Sequence, residues 1–257
     1  MEKQNKWTRE ETIIAFNVYC KIPFKQSSKT NPVIMKYANL IGRSPSALNM
    51  KVGNFGRLDP KLKEQGITGL ANGSKMDEII WNEFYGNWEE LAIESERLIA
   101  TYENKSLEEI AEIKPSELTN YSASEREAVV KQRINQNFFR STILASYNLK
   151  CCLTGLSIPQ FLVASHIKPW AKDKNNRLNP HNGLCLNSIH DKAFDLGYMT
   201  VTTEYKAIFS KKLNDFSNDI AVKDFFLKYE NKAIDLPDRF LPDIEFLKYH
   251  YDNIFIK

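Results

Sequence analysis

Apolar positions recur at helical spacing through the first half of the chain and condense into shorter, denser runs in the second. In "WTREETIIAFNVYCKI", Trp7, Ile14, Val18 and Ile22 fall near one face, and Thr8 with Glu11 has the form of a capping box, so a helix is read here. "NPVIMKYANLIG" is a second helix, stopped by Gly42, and "SPSALNMKVGNFGRL" a third, with Ser44 as N-cap and Pro45 at the first helical position. Two short helices joined by "IGRS" have the layout of a helix-turn-helix. A long amphipathic stretch from Asp77 to Glu103 follows, interrupted at Gly86.

The next segment, "NKSLEEIAEIKPSELTNYSASE", is polar and acidic and contains Pro115, so it reads as a connection. The expected organisation is therefore a helical domain over 1–110, a linker over 111–121 and a second domain over 122–257. The second domain opens with the helix "EREAVVKQRINQNFFRSTILASYN" and continues into the β-rich "KCCLTGLSIPQFLVASHIKPW". A polar loop, "AKDKNNRLNPHNG", leads to "LCLNSIHDKAFDLG", read as a helix ended by Gly197. "YMTVTTEYKAIFS" is read as a hairpin turning near Thr203 and Glu204, and a last helix starts near Asp243. The fold class expected is α+β, with a mostly helical amino-terminal part.

Composition adds little to this picture, but charge distribution adds more. The 257 residues are 42% apolar and 26% charged, ordinary for a globular protein. The start of the chain lacks the apolar core of a signal peptide, and the longest charge-free run, 151–167, is too short and polar to span a bilayer. A cytoplasmic protein with no membrane partner is expected. No C-x-x-C pair occurs among the four cysteines, so they are read as small buried hydrophobes. Residues 21–63 hold nine Lys or Arg against Asp59 alone, while 77–117 hold twelve Asp or Glu against Arg97, Lys105 and Lys114. Residues 150–182 are basic again, with five Lys or Arg against Asp173. Two basic segments separated by an acidic one suit a polyanion contacted at two places. In the first segment, a helix entering the major groove of double-stranded DNA would present Ser46 and Asn49 to base edges, while Arg43, Lys51 and Arg57 would reach phosphates.

The candidate chemistry lies in the second domain. "IPQFLVAS" reads as a buried strand, and His166 stands near its exit, where an imidazole can take a proton from water. Asn182, before a glycine, can tie the intervening loop back to that strand. His190 and Asp191, on the following element, can fix a divalent metal, and Lys168 and Arg177 can hold flanking phosphates. A base and a cation together are what phosphodiester hydrolysis requires.

The motifs "CCLTG", "ASHIKPW", "RLNPHNGLCLN" and "HDKAFDLG", in this order and with short gaps, resemble the HNH endonuclease superfamily. The resemblance covers roughly residues 130–210. It implies a ββα-metal core of two strands and a helix, with His166 as general base, Asn182 as the loop-organising asparagine, and a metal held at His190 and Asp191. Magnesium is the metal expected, with manganese or another divalent ion as the alternative. The family context implies restriction or defence against foreign DNA, with sensitivity to base modification. Many members carry Asp or His just before the base, where this chain has Ser165, and this feature keeps a rival in play: an HNH-fold protein that binds DNA without cutting it. Homodimerisation is left open by the sequence.

Overall fold

A computed structural model describes residues 6–67 and 73–257, and among these the contacts form two compact units, Met1–Ser141 and Thr142–Lys257. The first unit is helical. Its elements are α1 (Arg9–Lys21), α2 (Pro32–Leu40), α3 (Pro45–Leu58), α4 (Pro60–Glu64), α5 (Lys75–Phe84), α6 (Trp88–Glu103), α7 (Leu107–Ile110) and most of α8 (Ala123–Ser146). The division between units falls inside α8, whereas the expected linker, 111–121, lies within the first unit and carries a 3₁₀ turn at Pro115–Leu118.

The Thr8–Glu11 capping box forms, with Glu11 N–H donating to Thr8 Oγ1 at 3.2 Å and Thr8 N–H to Glu11 Oε2 at 2.9 Å. The helix it starts is not amphipathic. Every residue from Glu11 to Cys20 is buried, because α2, α3, α5 and α6 pack around α1. Phe16 stacks on Phe55 of α3 with centroids 4.7 Å apart, and Trp81 of α5 lies 5.2 Å from Phe16. Two buried polar pairs cross this core: Tyr19 donates to Asp59 at 2.7 Å, and Lys51 Nζ to Asp77 at 2.6 Å. Between α2 and α3 the chain reverses at Gly42, whose φ of +67° is a left-handed conformation that favours glycine.

The second unit is α+β. Strands β1 (Leu162–His166) and β2 (Gly183–Asn187) pair antiparallel, with His166 opposite Gly183 and Leu162 opposite Asn187. Helix α9 (Ser188–Asp195) follows β2 directly and packs against both strands. The expected single helix over 184–197 is thus a strand and then a helix. All five residues of β2 are buried, so its run shows no alternation and cannot be told from a buried helix by pattern. Asn187 makes the break, its Oδ1 accepting from the N–H groups of Ile189 at 3.1 Å and His190 at 3.0 Å as the N-cap of α9. At the other end Gly197 has φ +76°, and a Cβ there would lie 2.2 Å from the Ile254 carbonyl oxygen.

The hairpin of β3 (Met199–Val201) and β4 (Ala207–Phe209) turns at 202–205, followed by the short α10 (Ile220–Phe225) and by α11 (Ile244–Asn253), capped by Asp243. His250 of α11 is buried, stacked on Phe194 at 3.7 Å and bonded to Thr200 Oγ1 at 2.8 Å. All four cysteines are free and buried.

Candidate active site

The site is built on the end of β1, the loop that leaves it and the first turns of α9. The loop, 167–182, is fastened by its own polar side chains. Asn182, 1% exposed, accepts from Lys168 N–H at 2.7 Å and donates to the carbonyls of Lys168 at 3.0 Å and Asn176 at 3.2 Å. Asp173 accepts from Lys168 Nζ at 2.9 Å and from Asn176 Nδ2 at 3.0 Å. These bonds hold the carbonyl of Arg177 2.9 Å from Nε2 of His166. A carbonyl only accepts, so Nε2 carries the proton and the basic lone pair is on Nδ1. Burial lowers the His166 pKa, partly opposed by the bond to the Arg177 carbonyl, so the ring is neutral near pH 7. The Trp170 ring meets it edge-on, with centroids 5.4 Å apart and planes at 85°.

Asp191 and Asp195 sit one turn apart on α9, on one face. Burial raises the Asp191 pKa, the neighbouring Asp195 carboxylate raises it further, and the Ser165 hydroxyl opposes both. Asp195 is exposed, and the partial desolvation beside its helix shifts its pKa in the same upward direction. Ser165 is 2% exposed, and its Oγ has no partner at ordinary hydrogen-bond geometry, although it stands close enough to Asp191 to stabilise its charged form. Two carboxyls one turn apart, one of them close to the Ser165 hydroxyl, form an arrangement whose charge a cation would offset.

Several sequence-predicted residues are used elsewhere. His190 is 2% exposed and has Nε2 2.6 Å from the Phe225 carbonyl and Nδ1 3.0 Å from Asn187 Oδ1. With both nitrogens against oxygens, and Phe226 and Tyr229 edge-on to its ring at 5.8 and 5.5 Å, His190 is not open to a metal. It lines an apolar cavity of about 780 Å³ with Phe161, Ile189 and Phe225. Lys168 is paired with Asp173 and lies 4.9 Å from the Tyr249 ring, and Arg177 turns toward Trp170. His181 is half-buried, with Nδ1 2.7 Å from the Leu241 carbonyl and its ring edge-on to Phe240.

On α3 the clearest correction is Lys51. Its side chain is 3% exposed and ion-paired with the fully buried Asp77, so it cannot reach a phosphate. Arg43 is bonded to Glu11 at 2.7 Å and lies over Trp7 at 5.0 Å. Arg57 pairs with Glu78 at 3.2 Å, and Asn49 accepts from Ser27 at 2.6 Å. Ser46 is exposed.

A family model described as HNH endonuclease matches residues 151–202, the span holding β1, the fastened loop, β2 and α9. This match over residues 151–202 supports membership of the HNH endonuclease superfamily. No curated protein matches the chain. HNH nucleases act on DNA and generally use a divalent metal ion. In this HNH domain the donors that could hold one are the Asp191 and Asp195 carboxylates and the Ser165 hydroxyl. All are oxygen ligands, which suits a hard cation such as Mg²⁺, commonly bound through one or two carboxylates with water completing the shell. Among the described residues no cluster of three or more His, Cys, Asp or Glu that could hold a metal ion is present. The four-residue spacing of Asp195 from Asp191 is the sequence signal that points to the pair. No helix among the described residues is long and apolar enough to cross a membrane.

Proposed function

We propose that the chain is a metal-dependent DNA endonuclease with His166 as general base and Asp191 and Asp195, aided by Ser165, as the metal site. The observation that carries this reading is that His166, held through Nε2 by the Arg177 carbonyl, ends the strand against which α9, the helix of Asp191 and Asp195, packs. His166 Nδ1 accepts a proton from a water molecule, whose oxygen attacks phosphorus in line. The bond from phosphorus to the 3′ oxygen breaks, leaving a 5′ phosphate and a 3′ hydroxyl that takes its proton from solvent. The cation, when bound, supplies positive charge against the phosphorane and the leaving oxygen. Asn182 keeps the loop, and hence the Arg177 carbonyl, in place during the cycle.

A DNA-recognition role for the first unit is part of the proposal, with Ser46 as its exposed polar contact, although Arg43, Lys51 and Arg57 are held by acidic partners. A role in restriction of foreign DNA, with sensitivity to base modification, is part of the proposal on family likeness alone. Ser165 favours one second reading, a DNA-binding protein without cleavage, because a hydroxyl is a weaker ligand than the Asp or His found there in many members. Plasmid incubated with protein and Mg²⁺ or Mn²⁺, with and without chelator, separates the two. Chelator-sensitive cleavage supports the nuclease, and DNA that stays intact in either metal while still bound supports the second reading.

A further inference from the structure

Arg177 faces inward on both its main-chain and its side-chain contacts. Its carbonyl oxygen accepts from His166 Nε2 at 2.9 Å. Its own Nε donates to the Trp170 carbonyl at 2.9 Å, and its guanidinium lies over the Trp170 ring at 5.1 Å. The Trp170 ring in turn sets its edge against the His166 imidazole at 5.4 Å. One residue therefore bears on two contacts of that imidazole: the acceptor at Nε2 through its main chain, and the aromatic wall through its side chain. We propose that Arg177 is a positioning residue that, through Trp170, locks the His166 ring with Nε2–H on the loop and Nδ1 as the basic nitrogen; this rests on the assignment of His166 as base.

The lock is closed in sequence as well as in space. Asp173 and Asn182 both bind Asn176, the residue before Arg177, so the carbonyl has a fixed origin. Those bonds fix the backbone on one side only. The turn from Trp170 to Arg177 is spanned by the arginine side chain itself, whose planar guanidinium can stack on an indole while Nε donates, a combination an ammonium cannot reproduce. Lysine is therefore a poor substitute at this position if the role is positioning, and an adequate one if the role is to neutralise a phosphate.

The test compares wild type with R177K, R177A and W170F. It uses the protein's full chain, with folding checked by circular dichroism and two readouts. The first is the His166 Nε2–H resonance in ¹H–¹⁵N spectra, which persists only while the proton is held by its acceptor and needs no cleavage. The second is single-turnover cleavage beside DNA affinity as a function of salt. R177K and W170F are expected to lose the Nε2–H signal to solvent exchange and to cut about 10–100-fold more slowly, as misplacement of a catalytic group does. Their DNA affinity and its salt slope should stay at the wild-type level. The proposal is overturned if R177K keeps both the signal and the rate while R177A loses affinity with a salt slope smaller by about 1, the behaviour of a phosphate anchor. A wild-type protein that cuts nothing refutes the nuclease assignment instead, and the Nε2–H signal in R177K and W170F then decides the positioning role by itself. Either variant suffices if the other does not fold.

Discussion

Replacing Asn182 removes a side chain that is 1% exposed and makes three hydrogen bonds, to Lys168 N–H, the Lys168 carbonyl and the Asn176 carbonyl. At about 0.5–1.5 kcal/mol net for each bond, Asn182→Ala should lower the stability of the second unit by about 2–4 kcal/mol. That is a large share of the 5–15 kcal/mol typical of a domain, roughly, so it is readily measured. Asn182→Asp is the sharper substitution because it is nearly isosteric. It keeps the acceptor facing Lys168 N–H but sets an oxygen where Nδ2 donates, against two carbonyl oxygens. At neutral pH it should therefore cost at least as much as alanine, and the deficit should narrow on acidification, when a protonated carboxyl regains one donor. Urea unfolding of each variant gives the free energies, and amide hydrogen exchange at Lys168 reports whether its N–H has lost its acceptor. Stability within about 0.5 kcal/mol of wild type, the range of an ordinary surface change, together with a still-protected Lys168 amide, would refute the claim that Asn182 fastens the loop.

Three further outcomes follow from the same packing. Burial pushes the His250 pKa down to about 4, against the bond to the Phe194 carbonyl; because the unfolded ring titrates near 6.5, roughly, its stabilising contribution is complete above that pH and is lost as pH falls toward 4, by about 3 kcal/mol. A urea series across that window should show the slope in wild type and a shallower one in His250→Phe. Lys51→Met leaves Asp77 charged and buried and should cost about 3–5 kcal/mol, while Lys51→Met with Asp77→Leu recovers most of it, as thermal unfolding of the single and double variants would show. Calorimetric titration of Mg²⁺ and Mn²⁺ should show affinity lost in Asp191→Asn with Asp195→Asn and kept in His190→Gln, and unchanged affinity in the double variant would place the ion elsewhere.

How far the sequence reached depended on whether a residue's role is local. The Thr8 box, the turn at Gly42, the hairpin over 199–209 and the cap at Asp243 are set by neighbours within a few positions, and each was legible. The boundary between β2 and α9 was not, because a strand buried on both faces has no period to separate it from a helix, and Asn187 alone marks the change. Side chains whose use depends on distant partners were misread. Lys51 and His190 have the chemistry for a phosphate and a metal, but Asp77 lies 26 positions from the first and Phe225 35 from the second. No local pattern reveals those partners. Even α1 was read as one-sided, since burial of its second face comes from α6, far along the chain.

Single-turnover cleavage of plasmid DNA in Mg²⁺ by wild type and His166→Ala tests most directly whether His166 acts as a base beside a cation held by Asp191 and Asp195. Wild type should cleave in a chelator-sensitive way and the variant about 10²–10⁴-fold more slowly, the contribution of a general base, with DNA affinity retained because one imidazole adds little to binding. A His166→Ala protein that cuts at the wild-type rate would contradict that role.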